Sequence, residues 1–393
     1  MKLEPIDATY PRDVLRALRG AVLGAGPAIA LGGGLGGALG GAPDVTEVAA
    51  GTAVVLTTSG STGRPKSVAL SRSALTASAL ATSERLGEGA WLLALPPGYV
   101  AGMQVLVRSL VAGREPAILA GAFAPHTFAA AAGSMASSVG GIRTPTFTSL
   151  VPAQLQTLVE AELAGIHTGL ASFDSVLVGG QSLAPALAER AASVGARIVR
   201  TYGSTETSGG CVYDGVPLRG VGVRVDGGEV QVSGPTLADG YLHVAGADAE
   251  DLTDATFVRG DDGTRWYRTG DAGSFDGVLR ITGRLDNVIV SGGINVSLDR
   301  VESIVKSRRA LADAVVVAVP DGRWGEASVI VAAAMGNVDA AAELAAARAA
   351  VAERLGTPAR PRDLVLVAAL PLLPSGKPDR VAARAIALRT VSP

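Results

Sequence analysis

Thr57-Thr58-Ser59-Gly60-Ser61-Thr62-Gly63-Arg64-Pro65-Lys66-Ser67-Val68 follows an apolar run, Ala53-Val54-Val55-Leu56, that reads as a buried strand. A helix-compatible segment begins near Ser71, so the stretch is expected to be the loop of a strand-loop-helix unit. Gly60 and Gly63 let the backbone turn its N–H groups inward. The hydroxyls of Thr58, Ser59, Ser61 and Thr62 and the ammonium of Lys66 add donors for phosphate oxygens. Such a loop suits a triphosphate. It is not the Gly-Lys-Ser/Thr phosphate loop, because Arg64 and Pro65 separate Gly63 from Lys66. Taken alone, it also reads as a Ser/Thr/Gly-rich surface loop.

Outward from this loop, short apolar runs alternate with helical stretches as far as Tyr202. Strands are expected at Val54-Leu56, Trp91-Leu95, Pro116-Leu119, Val176-Val178 and Ile198-Arg200. Helices are expected near Ser71-Arg85, Met103-Ala112, Phe128-Ser137, Val151-Leu163 and Pro185-Val194. This is an α/β pattern on a largely parallel sheet, with ligands at the carboxyl ends of the strands. From residue 212 to 283 the texture changes to hairpins, marked by Asp226-Gly227-Gly228, and an antiparallel β subdomain is expected. Beyond it, Leu298-Arg308, Ala314-Val319, Ser328-Ala333, Val338-Leu355 and Leu364-Val367 make a small α+β domain. The division expected is residues 1–284 and 285–393.

Composition sets the setting. Of the 393 residues, 48% are hydrophobic and 18% charged, with a net charge of −2, so no nucleic-acid partner is indicated. Cys211 is the single cysteine, which excludes an internal disulfide framework and suits a reducing cytoplasm. Gly20 to Ala42 is uncharged for long enough to cross a bilayer. Its glycines argue against a spanning helix, and it is read as a buried or flexible connector.

Four further stretches carry polar residues between glycines. In Thr201-Tyr202-Gly203-Ser204-Thr205-Glu206, the Glu206 carboxylate can hold a Mg²⁺ that bridges phosphates, or be a solvated loop carboxylate. Asp271, in Tyr267-Arg268-Thr269-Gly270-Asp271, can accept from ribose hydroxyls or be a turn aspartate. Gly283 to Asn295 spans the texture switch, making Asp286 a hinge and Gly292-Gly293 a close-approach site or a plain turn. Lys377, in Pro374-Ser375-Gly376-Lys377, is an idle surface lysine or one that swings into a phosphate site.

In this order the five stretches resemble the adenylate-forming enzymes, the superfamily of acyl-CoA synthetases, luciferases and peptide-synthetase adenylation domains. The resemblance runs from about Thr52 to Arg380. It implies a large α/β N-terminal domain with an antiparallel β subdomain and a small mobile C-terminal domain, with ATP, Mg²⁺ and CoA as ligands. Carried over by position, Thr58, Ser59, Gly60, Ser61, Thr62, Gly63 and Lys66 form the phosphate loop. Tyr202, Gly203 and Ser204 line the nucleotide site, and Tyr202 also borders the acyl pocket with Gly180. Thr205 and Glu206 meet phosphate and metal, while Asp271 and Arg284 meet ribose and phosphate. Asp286 is the hinge, Lys377 the adenylation lysine, and Gly292 and Gly293 border the pantetheine tunnel. Ser67 departs from the usual glycine, and the upstream stretch of typical members is absent, so a shortened N-terminal domain is expected.

Leu95-Pro96-Pro97-Gly98-Tyr99 to Arg108 is similar to the short o-succinylbenzoate-CoA ligases of menaquinone synthesis in high-GC Gram-positive bacteria. There Arg108 would bind a substrate carboxylate beside Tyr99, which replaces a histidine. A second carboxylate entering an apolar pocket needs such a planar fork. A helix-surface cation is the other reading of Arg108. The expected partners are therefore small molecules, namely ATP, an aromatic dicarboxylate and CoA. No nucleic acid and no membrane span are expected, and the oligomeric state is left open, with a homodimer the expectation. An aryl- or fatty-acid ligase, a stand-alone amino-acid adenylation domain and a non-catalytic nucleotide-binding homologue remain open.

Overall fold

The computed structural model describes residues 1–31, 45–58, 65–135, 138–139, 141–244, 247–334, 339–373 and 376–391. Its first sheet runs in the order Leu3–Pro5, Ala28–Leu31, Thr52–Thr58, Lys66–Ser71 and Gly240–Val244. The first three strands are parallel and the last two antiparallel to their neighbours. The second sheet has seven strands, Val216–Pro217, Gly209–Tyr213, Ile198–Ser204, Ser175–Val178, Thr146–Leu150, Ala90–Leu93 and Ala117–Ile118. From Ile198–Ser204 onward these are parallel, so their carboxyl ends open on one edge.

Side-chain alternation builds the layers. Val54 and Leu56 face one core together with helices Pro11–Leu23, Arg72–Leu86 and Val100–Val111, while Val55 faces the opposite side with Leu3 and Ala28. In the second sheet Leu177 joins that helical core. Val176 and Val178 pack on the far side with Phe128, Leu155, Leu158 and Leu187. The three helices thus lie between two sheets, and Pro125–Gly133, Pro152–Leu163 and Pro185–Ser193 cover the outer face.

Three sequence expectations change. Thr52–Thr58 is not in the large parallel sheet, because the chain between it and Ala90–Leu93 passes through the middle helical layer. The β subdomain is narrower than 212–283. Gly209–Tyr213 and Val216–Pro217 extend the seven-stranded sheet, and Gly240–Val244 crosses to Lys66–Ser71. What remains is a sheet of Gly222–Asp226, Glu229–Ser233, Arg265–Phe275, Phe257–Arg259 and Leu279–Arg284. The supposed connector holds the end of a helix and the buried strand Ala28–Leu31; residues 32–44 lie outside the described residues.

Past Leu285 a further sheet orders Ile294–Ser297, Val288–Ser291, Gly325–Ala333 and Val315–Asp321, with Asp363–Val367 pairing parallel to Gly325–Ala333. Leu298–Lys306 and Ala340–Leu355 cover one face and Arg380–Thr390 the other. Among the described residues the buried clusters fall between 3 and 279 or between 289 and 391, and none spans the junction.

Candidate active site

Lys66 opens the strand Lys66–Ser71 and pairs with Thr58, the last residue of Thr52–Thr58. The unit is therefore strand-loop-strand. The helix starts only at Arg72, behind the N-cap Ser71 whose Oγ accepts from Ala74 N at 3.2 Å. The short alternation Ser67-Val68-Ala69-Leu70 suits this strand, and the helix begins one residue past the expected Ser71. Ser59, Gly60, Ser61, Thr62 and Gly63 lie outside the described residues.

Across from Lys66, Ile198–Ser204 ends in the single turn Thr205–Thr207, with Thr205 buried. Gly203 is required by close approach, because a Cβ there would lie 2.1 Å from the Gly209 carbonyl oxygen. Glu206 Oε1 accepts from the Tyr241 hydroxyl at 2.9 Å, and Lys66 Nζ sits 5.3 Å from the centre of the Tyr241 ring. Burial, then the neighbouring Glu206, pushes the Tyr241 hydroxyl pKa up. Ser204 Oγ donates to the Tyr267 hydroxyl at 3.4 Å. No cluster of three or more metal-ligating side chains occurs among the described residues. One carboxylate oriented by the Tyr241 hydroxyl still fits Mg²⁺, which takes one or two carboxylates and completes its shell with substrate oxygens and water.

Asp271 accepts from Tyr202 Oη at 2.6 Å through Oδ2 and from Arg284 Nη1 at 3.1 Å through Oδ1. Burial raises its pKa against those two hydrogen bonds. Arg284 also forks onto Asp286, Nε to Oδ1 at 3.0 Å and Nη2 to Oδ2 at 2.9 Å, which holds the Asp286 carboxyl below its usual range. The expected hinge residue is thus clamped by a bidentate charge pair. Both flanks of the hinge meet Asp299: Arg284 N donates to Oδ2 at 2.7 Å and Asn287 Nδ2 to Oδ1 at 2.8 Å.

Lys377 comes from the small C-terminal body. Leu373 N donates to Lys377 O at 2.7 Å, Gly376 N to Leu373 O at 2.8 Å and Asp379 N to Pro371 O at 2.9 Å, so the loop is tight. It reaches the large body. A Cβ built on Gly180 would lie 3.3 Å from Lys377 Cε, and one on Gly376 would lie 3.4 Å from Val151 Cγ2. Burial pulls the lysine pKa down, and the charge of Glu206 pulls it back up. Among the described residues the ammonium has no hydrogen-bonded or ion-paired partner.

Arg108 is not a surface cation. It is 3% exposed, its Nη2 donates to the Tyr213 hydroxyl at 3.3 Å, and its guanidinium carbon lies 4.9 Å from the centre of the Trp91 ring. Nε has no partner and, among the described residues, no carboxylate pairs with it. Val100, Gln104 and Arg108 recur at helical spacing. Val100 and Gln104 touch Gly209, and Gln104 Nε2 donates to Ser208 O at 2.8 Å, its Oε1 being left without a partner. Tyr99 is the N-cap of that helix, half-buried, with its hydroxyl pKa raised by burial. Gln104, rather than Tyr99, shares the face of Arg108.

Gly292 and Gly293 form the turn between Val288–Ser291 and Ile294–Ser297, at φ of 58° and 80°. A Cβ on Gly292 would strike Trp324 at 2.5 Å, whereas one on Gly293 meets nothing within 4 Å. The pair makes a turn, and its described contacts are with Trp324.

Residues 36–246 match the AMP-binding enzyme family and residues 300–377 the AMP-binding enzyme C-terminal domain. The chain belongs to the AMP-binding enzymes. Within that family it is 40% identical to a probable 2-succinylbenzoate–CoA ligase of Mycobacterium tuberculosis, over 84% of this chain and 83% of the relative. It is also similar to the o-succinylbenzoate CoA synthetase of Bacillus subtilis in complex with the acyl-adenylate intermediate OSB-AMP. The TM-score is 0.68 and the identity 26%, over 87% of this chain and 69% of that one. The same synthetase with ATP and magnesium ion gives 0.68 and 26%, over 85% and 70%.

Tyr241, which meets Glu206, Trp91 and Tyr213, which meet Arg108, and Gln104, one helical turn before Arg108, were not picked out from the sequence. The spacing of Val100, Gln104 and Arg108 was a usable signal for Gln104. Tyr241 had none, because its strand partner, Val68, lies far away in sequence.

Proposed function

We propose that the chain is an ATP-dependent 2-succinylbenzoate:CoA ligase of menaquinone biosynthesis, working in two steps through an acyl-adenylate. The observation that carries this is the arrival of Lys377, from one body, against Gly180 and beside Glu206 of the other. A carboxylate of ordinary pKa, about 4, is ionised near neutrality and needs no base. Its oxygen bonds to the α-phosphorus as the bond to the β-phosphate oxygen breaks, and pyrophosphate leaves with the electron pair. Lys377, Lys66 and the loop donors take up the charge that develops. Mg²⁺, when held by Glu206 and substrate oxygens, neutralises phosphate charge. Asp271 and Arg284 meet the ribose end, with Tyr202 and Gly203 lining the adenine and acyl sites beside Ser204, Thr205 and Thr58.

In the second step the CoA thiolate attacks the acyl carbonyl and AMP leaves with the bonding pair. The body 285–393 turns about Asp286 between the steps, bringing Gly292 and Gly293 to the pantetheine. Substrate choice rests on Arg108. A buried guanidinium with no ion pair among the described residues, set between Trp91 and Tyr213, is suited to the carboxylate that does not react. The setting proposed is the cytoplasm; among the described residues no helix is long and apolar enough to cross a membrane. A homodimer completes the proposal, with sedimentation as its check.

The test is acid-dependent ATP–pyrophosphate exchange. 2-Succinylbenzoate should support it, benzoate and amino acids should not, and Arg108→Ala should raise KM for the diacid about a hundredfold with KM for ATP unchanged. Exchange driven equally by monocarboxylic or amino acids would overturn the assignment.

A further inference from the structure

Tyr241 is 7% exposed and stands on Gly240–Val244, the strand that crosses from the β subdomain to pair with Lys66–Ser71. Its ring packs on Phe257, with centroids 6.1 Å apart, and Phe257 packs on Tyr267 at 5.4 Å. This aromatic stack fixes the phenol where two charged groups meet it. Oη donates to Glu206 Oε1 at 2.9 Å, and the ring centre is 5.3 Å from Lys66 Nζ.

We infer that Tyr241, given the ATP-dependent chemistry proposed above, is a positioning residue: its hydroxyl aims the Glu206 carboxylate for a divalent cation, and its ring holds Lys66 toward the triphosphate. A carboxylate with one oxygen occupied by a fixed donor offers the other in a defined direction, and such outer partners govern metal affinity. The ring face attracts an ammonium electrostatically, which places Lys66 without neutralising it. One side chain thereby couples the metal ligand to the phosphate lysine, although Glu206 sits in the turn that follows a strand of the seven-stranded sheet and Lys66 on a strand of the first sheet.

The test separates the two jobs. Tyr241→Phe keeps the ring and the packing on Phe257 and removes only the hydroxyl. Tyr241→Leu removes both. Mn²⁺ binding to the full chain with a non-hydrolysable ATP analogue, followed by electron paramagnetic resonance, reads the metal without turnover. The Phe variant should weaken Mn²⁺ about tenfold and leave KM for ATP unchanged in ATP–pyrophosphate exchange. The Leu variant should weaken Mn²⁺ equally and raise KM for ATP about threefold or more. Half-saturation does not depend on the folded fraction, so partial unfolding does not imitate either result. Mn²⁺ affinity unchanged in the Phe variant overturns the hydroxyl's role, and equal KM for ATP in both variants overturns the ring's. Wild-type exchange with no acid at all would instead sink the proposed function, leaving the Mn²⁺ titration to judge Tyr241 separately.

Discussion

The C-terminal body carries two tight glycine turns with opposite surroundings. The Lys377 loop enters the large body, with Gly376 against Val151 and the lysine stem against Gly180. The Gly292-Gly293 turn meets Trp324 of its own body, and a Cβ on Gly293 would meet nothing within 4 Å. Both turns lie on the same C-terminal body, and under the rotation proposed above they would exchange what they face. The structure has the Lys377 edge against the large body.

Mutations on the two edges should therefore fail in different half-reactions. Lys377→Ala should give the largest loss, lowering acid-dependent ATP–pyrophosphate exchange by about 10²–10³-fold, while CoA thioester formation from preformed acyl-adenylate stays near wild type. Equal losses in both assays would erase the contrast. Gly293→Leu should do the reverse by a smaller factor, about tenfold on thioester formation, with exchange unaffected. Its positive φ adds strain, so a thermal melt accompanies the assay to keep folding and turnover apart. A loss of exchange in a well-folded Gly293→Leu protein would place the turn in the wrong half-reaction.

What the sequence revealed follows how local each signal is. The hairpin at Gly227-Gly228 closes between Asp226 and Glu229, within one turn, and the sequence states it directly. Glu206, Asp271, Arg284 and Lys377 lay in compact motifs, and the structure gathers them. Residues whose meaning depends on distant partners were misread or missed. The alternation in Lys66–Ser71 suits a strand but does not name its partners, Thr52–Thr58 and Gly240–Val244, which pair with it in the structure. For Arg108 the sequence left two readings, a carboxylate-binding arginine and a helix-surface cation, and its burial beside Trp91 and Tyr213 removes the second. Arg380–Thr390 follows Lys377 and was not foreseen, although Arg380 ties the lysine loop to Glu302 at 2.8 Å. Alternation along a chain tells which face a side chain takes, and leaves open which sheet the strand joins.

The rotation is tested most directly by a lock. With Val151 and Gly376 both changed to cysteine, oxidation should bridge the two bodies where a Cβ on Gly376 would lie 3.4 Å from Val151 Cγ2, and hold the lysine edge in place; the reduced form, which carries the same strain at the positive φ of Gly376, is the reference. The account predicts that the oxidised protein keeps 2-succinylbenzoate-dependent pyrophosphate exchange and stops making the CoA thioester, with reduction restoring it. Thioester formation at an undiminished rate in the fully bridged protein would contradict it.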